Sequence, residues 1–154
     1  VPGELYAKSV AVFDTYYKSH DQYLEDHRDG YQTVGDIAYV DDEGYYFICD
    51  RKKDMIITGG VNVYPAEIEN ILDDHPKVTE VAVFGIPDDE WGEAVCAVVV
   101  CMDNLNVKEL INFAKERLSG SKVPKSVFFR SDLPKTGSGK VLKRNLKQWV
   151  QEHS

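Results

Sequence analysis

The stretch from Met55 to Leu72, MIITGGVNVYPAEIENIL, leaves the chain little choice of local structure. Two runs rich in β-branched residues flank Gly59-Gly60, and such a pair accepts the positive φ angles of a tight hairpin turn. Pro65 follows the second run. At the first position of a helix its missing N–H costs nothing, so a short helix is predicted from there. Ile68, Ile71 and Leu72 give that helix an apolar face. Downstream, residues 78–86 and 94–101 read as strands joined by a polar PDDEWGE loop. Asn106 with Glu109 resembles a capping box, opening a helix to about Leu118. Val107, Leu110, Ile111, Ala114 and Leu118 line one side of it. VFFR (127–130) reads as a strand, and Leu142, Leu146, Trp149 and Val150 mark a terminal helix. The order from residue 54, β-β-α-β-β-α-β-loop-α, predicts a compact α+β domain: a hairpin plus a three-stranded sheet with flanking helices.

Upstream the pattern differs. Residues 3–17 read as extended, and 18–30 as polar with a short helix. Residues 35–50 read as a hairpin around DDEG, where Gly44 supplies a positive φ. RKKD at 51–54 is a charged break. With 154 residues, the chain has room for one good domain, or a small domain plus a piece of another. It opens on Val1, without the basic start and apolar stretch of a signal peptide, and is read as a piece of a longer protein. The longest apolar run, Ala94 to Met102, is too short to span a bilayer. Cys49, Cys96 and Cys101 sit in strand-like apolar surroundings and read as reduced, buried thiols of a cytoplasmic protein. The four histidines are scattered, so no metal site is expected.

Charge is uneven. The net charge is −8, yet residues 122–147 hold eight of the eighteen Lys and Arg against one acid, Asp132. A basic segment on an acidic body suggests a phosphate-bearing partner. Lys143 and Lys147 read as a solvated helix face. Nucleic acid is disfavoured, because the acidic body repels a polyanion and no stacking or DNA-binding motif accompanies the bases.

Two segments carry chemistry. LPKTGSGKVLKR (133–144) places Lys140 after two glycines and before a helix. Val141 stands where a phosphate loop of the GxxxxGK[ST] type needs Ser or Thr, so that class is disfavoured. A lysine on such a loop still pairs with phosphate and carboxylate oxygens at once. Alone, the segment would read equally as an exposed lysine near a helix start. The second segment is DRKKDMIITGGVNVYPAEIE (50–69). It strongly resembles the linker and first hairpin of the adenylate-forming superfamily, which includes acyl- and aryl-CoA synthetases, peptide-synthetase adenylation domains and luciferases. GYQTVGDIAYVDDEGYYFICDR (30–51) resembles the family segment before it, and PKTGSGKVLKR its C-terminal lysine motif. The three stand in family order and cover nearly the whole chain.

The resemblance implies roles. Asp36 matches the aspartate that holds the ATP ribose hydroxyls, and Arg51 an arginine in the same region. Lys53 matches the hinge between a large and a small domain. Gly59 and Gly60 match the hairpin that lines the pantetheine tunnel; for Gly59 a plain turn role is nearly as good a reading. Glu67 is read as structural, an acid in the first turn of a helix. Lys140 matches the adenylation lysine. Residues 1–52 would then end the large N-terminal domain, in a β-rich piece, and 54–154 would form the small mobile one. The implied enzyme is an AMP-forming acid–thiol ligase. It would use ATP with Mg2+, held mainly by the large domain, a carboxylic acid (fatty acid on motif wording) and CoA. Its phosphate loop, acyl pocket and adenine-site motif are not in this sequence, so the chain alone is expected to be inactive. Two departures stand out. Val34 precedes Gly35-Asp36 where the family has threonine, and Asp50 replaces a common glycine. Luciferase-like chemistry is disfavoured, because Ile57 and Gly59 stand where luciferases have lysines. A carrier-protein thiol in place of CoA, and a non-catalytic docking module, remain as alternatives.

Overall fold

The computed structural model describes residues 1–10, 15–102 and 104–153. The chain divides into two compact units, residues 1–53 and 54–154.

The first unit is a four-stranded antiparallel sheet with one short helix. Its strands are β1 (Gly3–Ala7), β2 (His27–Arg28), β3 (Tyr31–Val40) and β4 (Tyr46–Arg51); the helix, α1, is His20–Glu25. β3 is central, with β1 along one edge and β2 and β4 sharing the other. Of the expected extended run 3–17, only Gly3–Ala7 is a strand. Residues 11–14 lie outside the described residues, and 15–17 carry no strand. The hairpin turns where DDEG placed it. Asp41 Oδ1 accepts the N–H groups of Glu43 and Tyr45 at 3.0 and 2.8 Å, and Gly44 adopts φ +88°. β3 begins earlier than expected, at Tyr31. It also bulges between Thr33 and Ile37, where Gly35 takes φ +78°. Such a bulge re-aims the side chains beside it, here Val34 and Asp36.

The second unit is built on a five-stranded mixed sheet. β5 (Ile56–Thr58) and β6 (Val61–Val63) form the Gly-Gly hairpin, and α2 (Pro65–Asp73) starts on Pro65. β7 (Val78–Asp88) and β8 (Gly92–Cys101) pair antiparallel, and β9 (Ser126–Arg130) joins β8 in parallel. α3 (Val107–Lys115) and α4 (Lys143–His153) complete it. The hairpin is not separate from the three-stranded sheet. β5 pairs with β8 through Thr58 and Gly92, making one sheet.

Both faces of this sheet are covered. Val83, Val95, Ala97 and Val99 point to the side packed by Ile68 and Leu72 of α2 and by Leu110 and Ala114 of α3. Ala82, Phe84, Cys96 and Val98 point to the side packed by Leu146 and Val150 of α4. This explains the unbroken apolar run in β8, since a strand buried on both faces has no polar alternation. Each Val, Leu, Ile or Phe among them contributes roughly 1.5–3 kcal/mol when fully buried.

Four expectations are corrected here. The PDDEWGE loop is mostly strand, and only Asp89, Glu90 and Trp91 connect β7 to β8. Asp88 Oδ1 accepts the N–H groups of Glu90 and Trp91 at 3.1 and 2.9 Å, and Gly92 adopts φ +77°, so the turn closes tightly. α3 ends at Lys115, although Leu118 still packs in the core. The capping box is half made: Asn106 Oδ1 accepts the Glu109 N–H at 3.0 Å, while the Glu109 carboxylate turns to Lys77 Nζ at 2.8 Å. Cys96 is wholly buried and its thiol is pushed up to about 12 by that burial, whereas Cys49 and Cys101 are only half-buried. No helix of the described residues is long and apolar enough to cross a membrane.

Candidate functional site

Asp36 and Arg51 are brought together by strand register. They are direct partners across β3 and β4, and Arg51 Nε lies 3.0 Å from Asp36 Oδ1. A second guanidinium nitrogen donates to the Val34 carbonyl at 2.9 Å. The arginine is 44% exposed, so this pair adds only about 0–1 kcal/mol of stability, and a ligand hydroxyl competes for it at small cost. Thr33 is buried, and its Oγ1 accepts the Gly35 N–H at 3.0 Å, which holds the bulge beside Asp36. Asp50 accepts the Arg51 N–H at 2.7 Å. Within this unit a cleft of about 620 Å³ is lined by Arg28, Gly35, Arg51, Lys52, Lys53 and Glu4, among others.

Lys52 and Lys53 differ sharply. Lys52 is tied to Glu4 of β1 at 2.9 Å, and that hydrogen bond holds its ammonium above the usual lysine value. Lys53 is exposed in a single 3-10 turn, Lys52–Asp54, and its side chain makes no hydrogen bond or ion pair among the described residues. The boundary between the two compact units falls directly after it.

In the second unit, Gly59 and Gly60 form the two-residue turn between Thr58 and Val61, with φ +56° and +77°. Positive φ at both positions matches a type I′ turn. Gly59 is the more constrained of the two. A Cβ on it would lie 2.6 Å from Trp91 Cε3, while a Cβ on Gly60 meets nothing within 4 Å. Gly59 N–H also donates to the Trp91 carbonyl at 2.9 Å. Lys125 Nζ lies 4.4 Å from the Trp91 ring centroid. Thr58, Gly59, Trp91, Gly120 and Lys125 border a cleft of about 190 Å³. Trp91 escaped the sequence reading because it sits among acids in a turn; a lone aromatic there was the available signal. Gly60→Ala is expected to cost about 1–2 kcal/mol, from left-handed backbone strain alone. Gly59→Ala is expected to cost more and to change tryptophan emission, because the ring must move. Urea denaturation followed by fluorescence checks both, and equal costs would remove the packing argument.

Lys140 ends a closed turn. Thr136 N–H donates to the Lys140 carbonyl at 2.8 Å, and Gly139, at φ +85°, donates to the Thr136 carbonyl at 2.9 Å. Thr136 Oγ1 accepts the Lys140 N–H at 3.1 Å. The Lys140 side chain is exposed, and its ammonium makes no ion pair among the described residues. Its basic neighbours are mostly engaged. Lys122 pairs with Glu67, Lys135 with Glu80 and Lys143 with Glu69, at 2.7, 2.6 and 2.8 Å. Arg130 stacks on Trp149 at 4.6 Å. Lys143 is therefore not a merely solvated lysine, and Lys147 lies 5.9 Å from the Phe84 ring. Glu67 keeps its place in the first turn of α2 and also holds Lys122. Lys140 and Arg144 are exposed bases of the segment that make no ion pair among the described residues, and of the two only Lys140 lies on the closed turn. The described residues gather no group of three metal-ligating side chains, so no residue here is assigned to Mg2+.

An α+β unit with helices on both faces of its sheet, a glycine hairpin, and a closed turn that presents the Lys140 ammonium define a recognisable class of domain. Residues 67–140 match the AMP-binding enzyme C-terminal domain family, and the last matched residue is Lys140. The chain belongs to the adenylate-forming superfamily and carries its C-terminal domain. It is 43% identical over 152 residues to a 2-succinylbenzoate–CoA ligase of Bacillus cytotoxicus, covering 99% of this chain and 32% of that protein. Its structure is similar to o-succinylbenzoate CoA synthetase from Bacillus subtilis in complex with the acyl-adenylate intermediate OSB-AMP. The TM-score is 0.90 at 36% identity, over 96% of this chain and 30% of that one. It is also similar to ATP-bound MatB from Rhodopseudomonas palustris, with TM-score 0.89 at 36% identity, over 99% and 31%. The chain spans about a third of the length of these relatives.

Proposed function

We propose that the chain works as the C-terminal part of an AMP-forming acid–thiol ligase. The supporting observation is Lys140, one unpaired, exposed ammonium on a turn closed by its own backbone, within the region matched by the family. In the first step a carboxylate oxygen attacks the α-phosphorus of ATP and the bond to pyrophosphate breaks. Lys140 bridges carboxylate and phosphate oxygens as negative charge shifts toward the leaving group. In the second step the CoA sulfur, its proton lost to solvent, attacks the acyl carbonyl and expels AMP.

The other residues follow from their chemistry. Asp36 accepts hydrogen bonds from the ribose hydroxyls, with Arg51 beside it. Residues 1–52 end the large domain, 54–154 form the small one, and Lys53 is the hinge. Rotation about Lys53 withdraws Lys140 and brings in the Gly59-Gly60 hairpin, where the bare backbone of Gly60 leaves room for the pantetheine arm. Mg2+, held outside this chain, would neutralise phosphate charge. The reaction is placed in the cytoplasm.

For the acid, relatives carry more weight than motif wording. The curated relatives are 2-succinylbenzoate–CoA ligases, so we favour an aryl dicarboxylate of that kind over a fatty acid. Pyrophosphate exchange tests this, in the enzyme carrying this chain together with the rest of its relatives' length. Exchange is expected to be fastest with 2-succinylbenzoate in a panel of aryl and fatty acids. Exchange with a fatty acid alone would overturn the substrate, and none with any acid would overturn the ligase reading.

A further inference from the structure

The turn that carries Lys140 is held at both stems by ion pairs to one strand and the helix beside it. On the incoming stem, Lys135 Nζ lies 2.6 Å from Glu80 Oε2, on β7. On the outgoing stem, Lys143 Nζ lies 2.8 Å from Glu69 Oε1, on α2. The same Glu69 oxygen accepts the Val83 N–H of β7 at 2.8 Å, so it joins α2, β7 and the first residue of α4. Between the stems the backbone closes on itself, with Leu142 N–H donating to the Pro134 carbonyl at 2.8 Å and Lys135 bridged to Val141. Lys140 itself touches neither acid. The turn is rigid inside, and where it points depends on what holds its stems.

The two pairs differ in shielding. Lys143 and Glu69 are 22% and 24% exposed, whereas Lys135 and Glu80 are 39% and 35% exposed. Pairs as open as the second add little to folding stability. Their leverage is geometric, since displacing a reacting group by 1 Å costs about 10²-fold in rate. We propose that Glu69 and Glu80 are positioning residues for Lys140, a two-point clamp that fixes the turn on β7 so that the ammonium reaches the reacting phosphate already aimed. This rests on the reading of Lys140 as the adenylation lysine. The clamp is needed only when that lysine is in use, so its loss falls on one half-reaction.

The test is a double variant, Glu69→Gln with Glu80→Gln, in the full-length ligase. Glutamine at 69 retains an oxygen for the Val83 N–H while removing the charge. Adenylate formation is expected to fall about tenfold or more, in kcat rather than in KM for the acid. Thioester formation from preformed acyl-adenylate is expected to stay within about twofold, and the urea midpoint to move little. Exchanging the outer pair, Glu80→Lys with Lys135→Glu, is expected to restore most of what Glu80→Gln loses. Unchanged adenylation in the double variant overturns the clamp. So does an equal fall in both half-reactions together with the urea midpoint, or an exchanged pair no better than Glu80→Gln. Lys140→Ala in the same assays separates the two readings. If it leaves adenylation intact, the role of Lys140 itself fails; if it abolishes adenylation while the double variant does not, only the clamp fails.

Discussion

Lys140→Ala is expected to slow acyl-adenylate formation by ~10²–10³-fold, or roughly 3–4 kcal/mol, the usual effect of removing one preorganised contact to developing charge. Thioester formation from preformed acyl-adenylate is expected to be nearly unchanged. The asymmetry follows from position. Lys140 is exposed, and no ion pair competes for its ammonium among the described residues. Its backbone is fixed by Thr136, whose N–H and hydroxyl both bond to residue 140. Alanine keeps those backbone bonds, so the variant should fold as the parent does, and loss of rate reports on the ammonium alone. Lys140→Arg separates charge from shape. A planar guanidinium keeps the charge but not the compact point contact, so partial rescue is expected. Single-turnover measurement of each half-reaction checks the prediction, and an equal loss in both would end the assignment.

Lys53→Pro is expected to spare adenylation and to slow thioester formation by about tenfold or more, a barrier increase of ~1.4 kcal/mol or more. Proline fixes φ near −65° and so removes the rotation a hinge needs. Lys53 is suited to such motion. Its side chain makes no hydrogen bond or ion pair among the described residues, while its neighbour Lys52 is held to Glu4 at 2.9 Å. Lys53→Ala, which leaves φ free, is the control and should behave as the parent. Proline also disfavours the helical region for the residue before it. The variant's urea midpoint is therefore measured beside its rates, and the Lys52–Glu4 pair must survive. A proline variant with parental thioester formation would refute the hinge, and an alanine variant as slow as proline would assign the effect to the side chain instead.

Much of this molecule was legible from local pattern. The Gly59-Gly60 turn, Pro65 at the start of a helix, and the DDEG turn follow from backbone sterics, which depend on neighbours in sequence. The run of α and β elements, and with it the α+β class, follows from the periods of apolar residues. The motif order was enough to name the superfamily and to single out Lys140.

What sequence could not supply is pairing over distance. Joining the hairpin to the larger sheet takes Thr58 opposite Gly92, residues 34 apart. The acidic PDDEWGE stretch read as loop because composition reports solvent exposure, and its strand ends are exposed or half-buried and yet paired across the sheet. Lys143 read as solvated because its partner Glu69 lies 74 positions away. The contact of Gly59 with the Trp91 ring was not legible because the ring arrives only through the sheet. By itself, then, the sequence determined the elements, the superfamily and a basic segment near the C-terminus. Only the tertiary structure decided that Lys122, Lys135 and Lys143 are neutralised by acids distant in the chain, while Lys140 makes no ion pair among the described residues. An ion pair forms by proximity in space, and that proximity exists only once β7, α2 and α4 have packed.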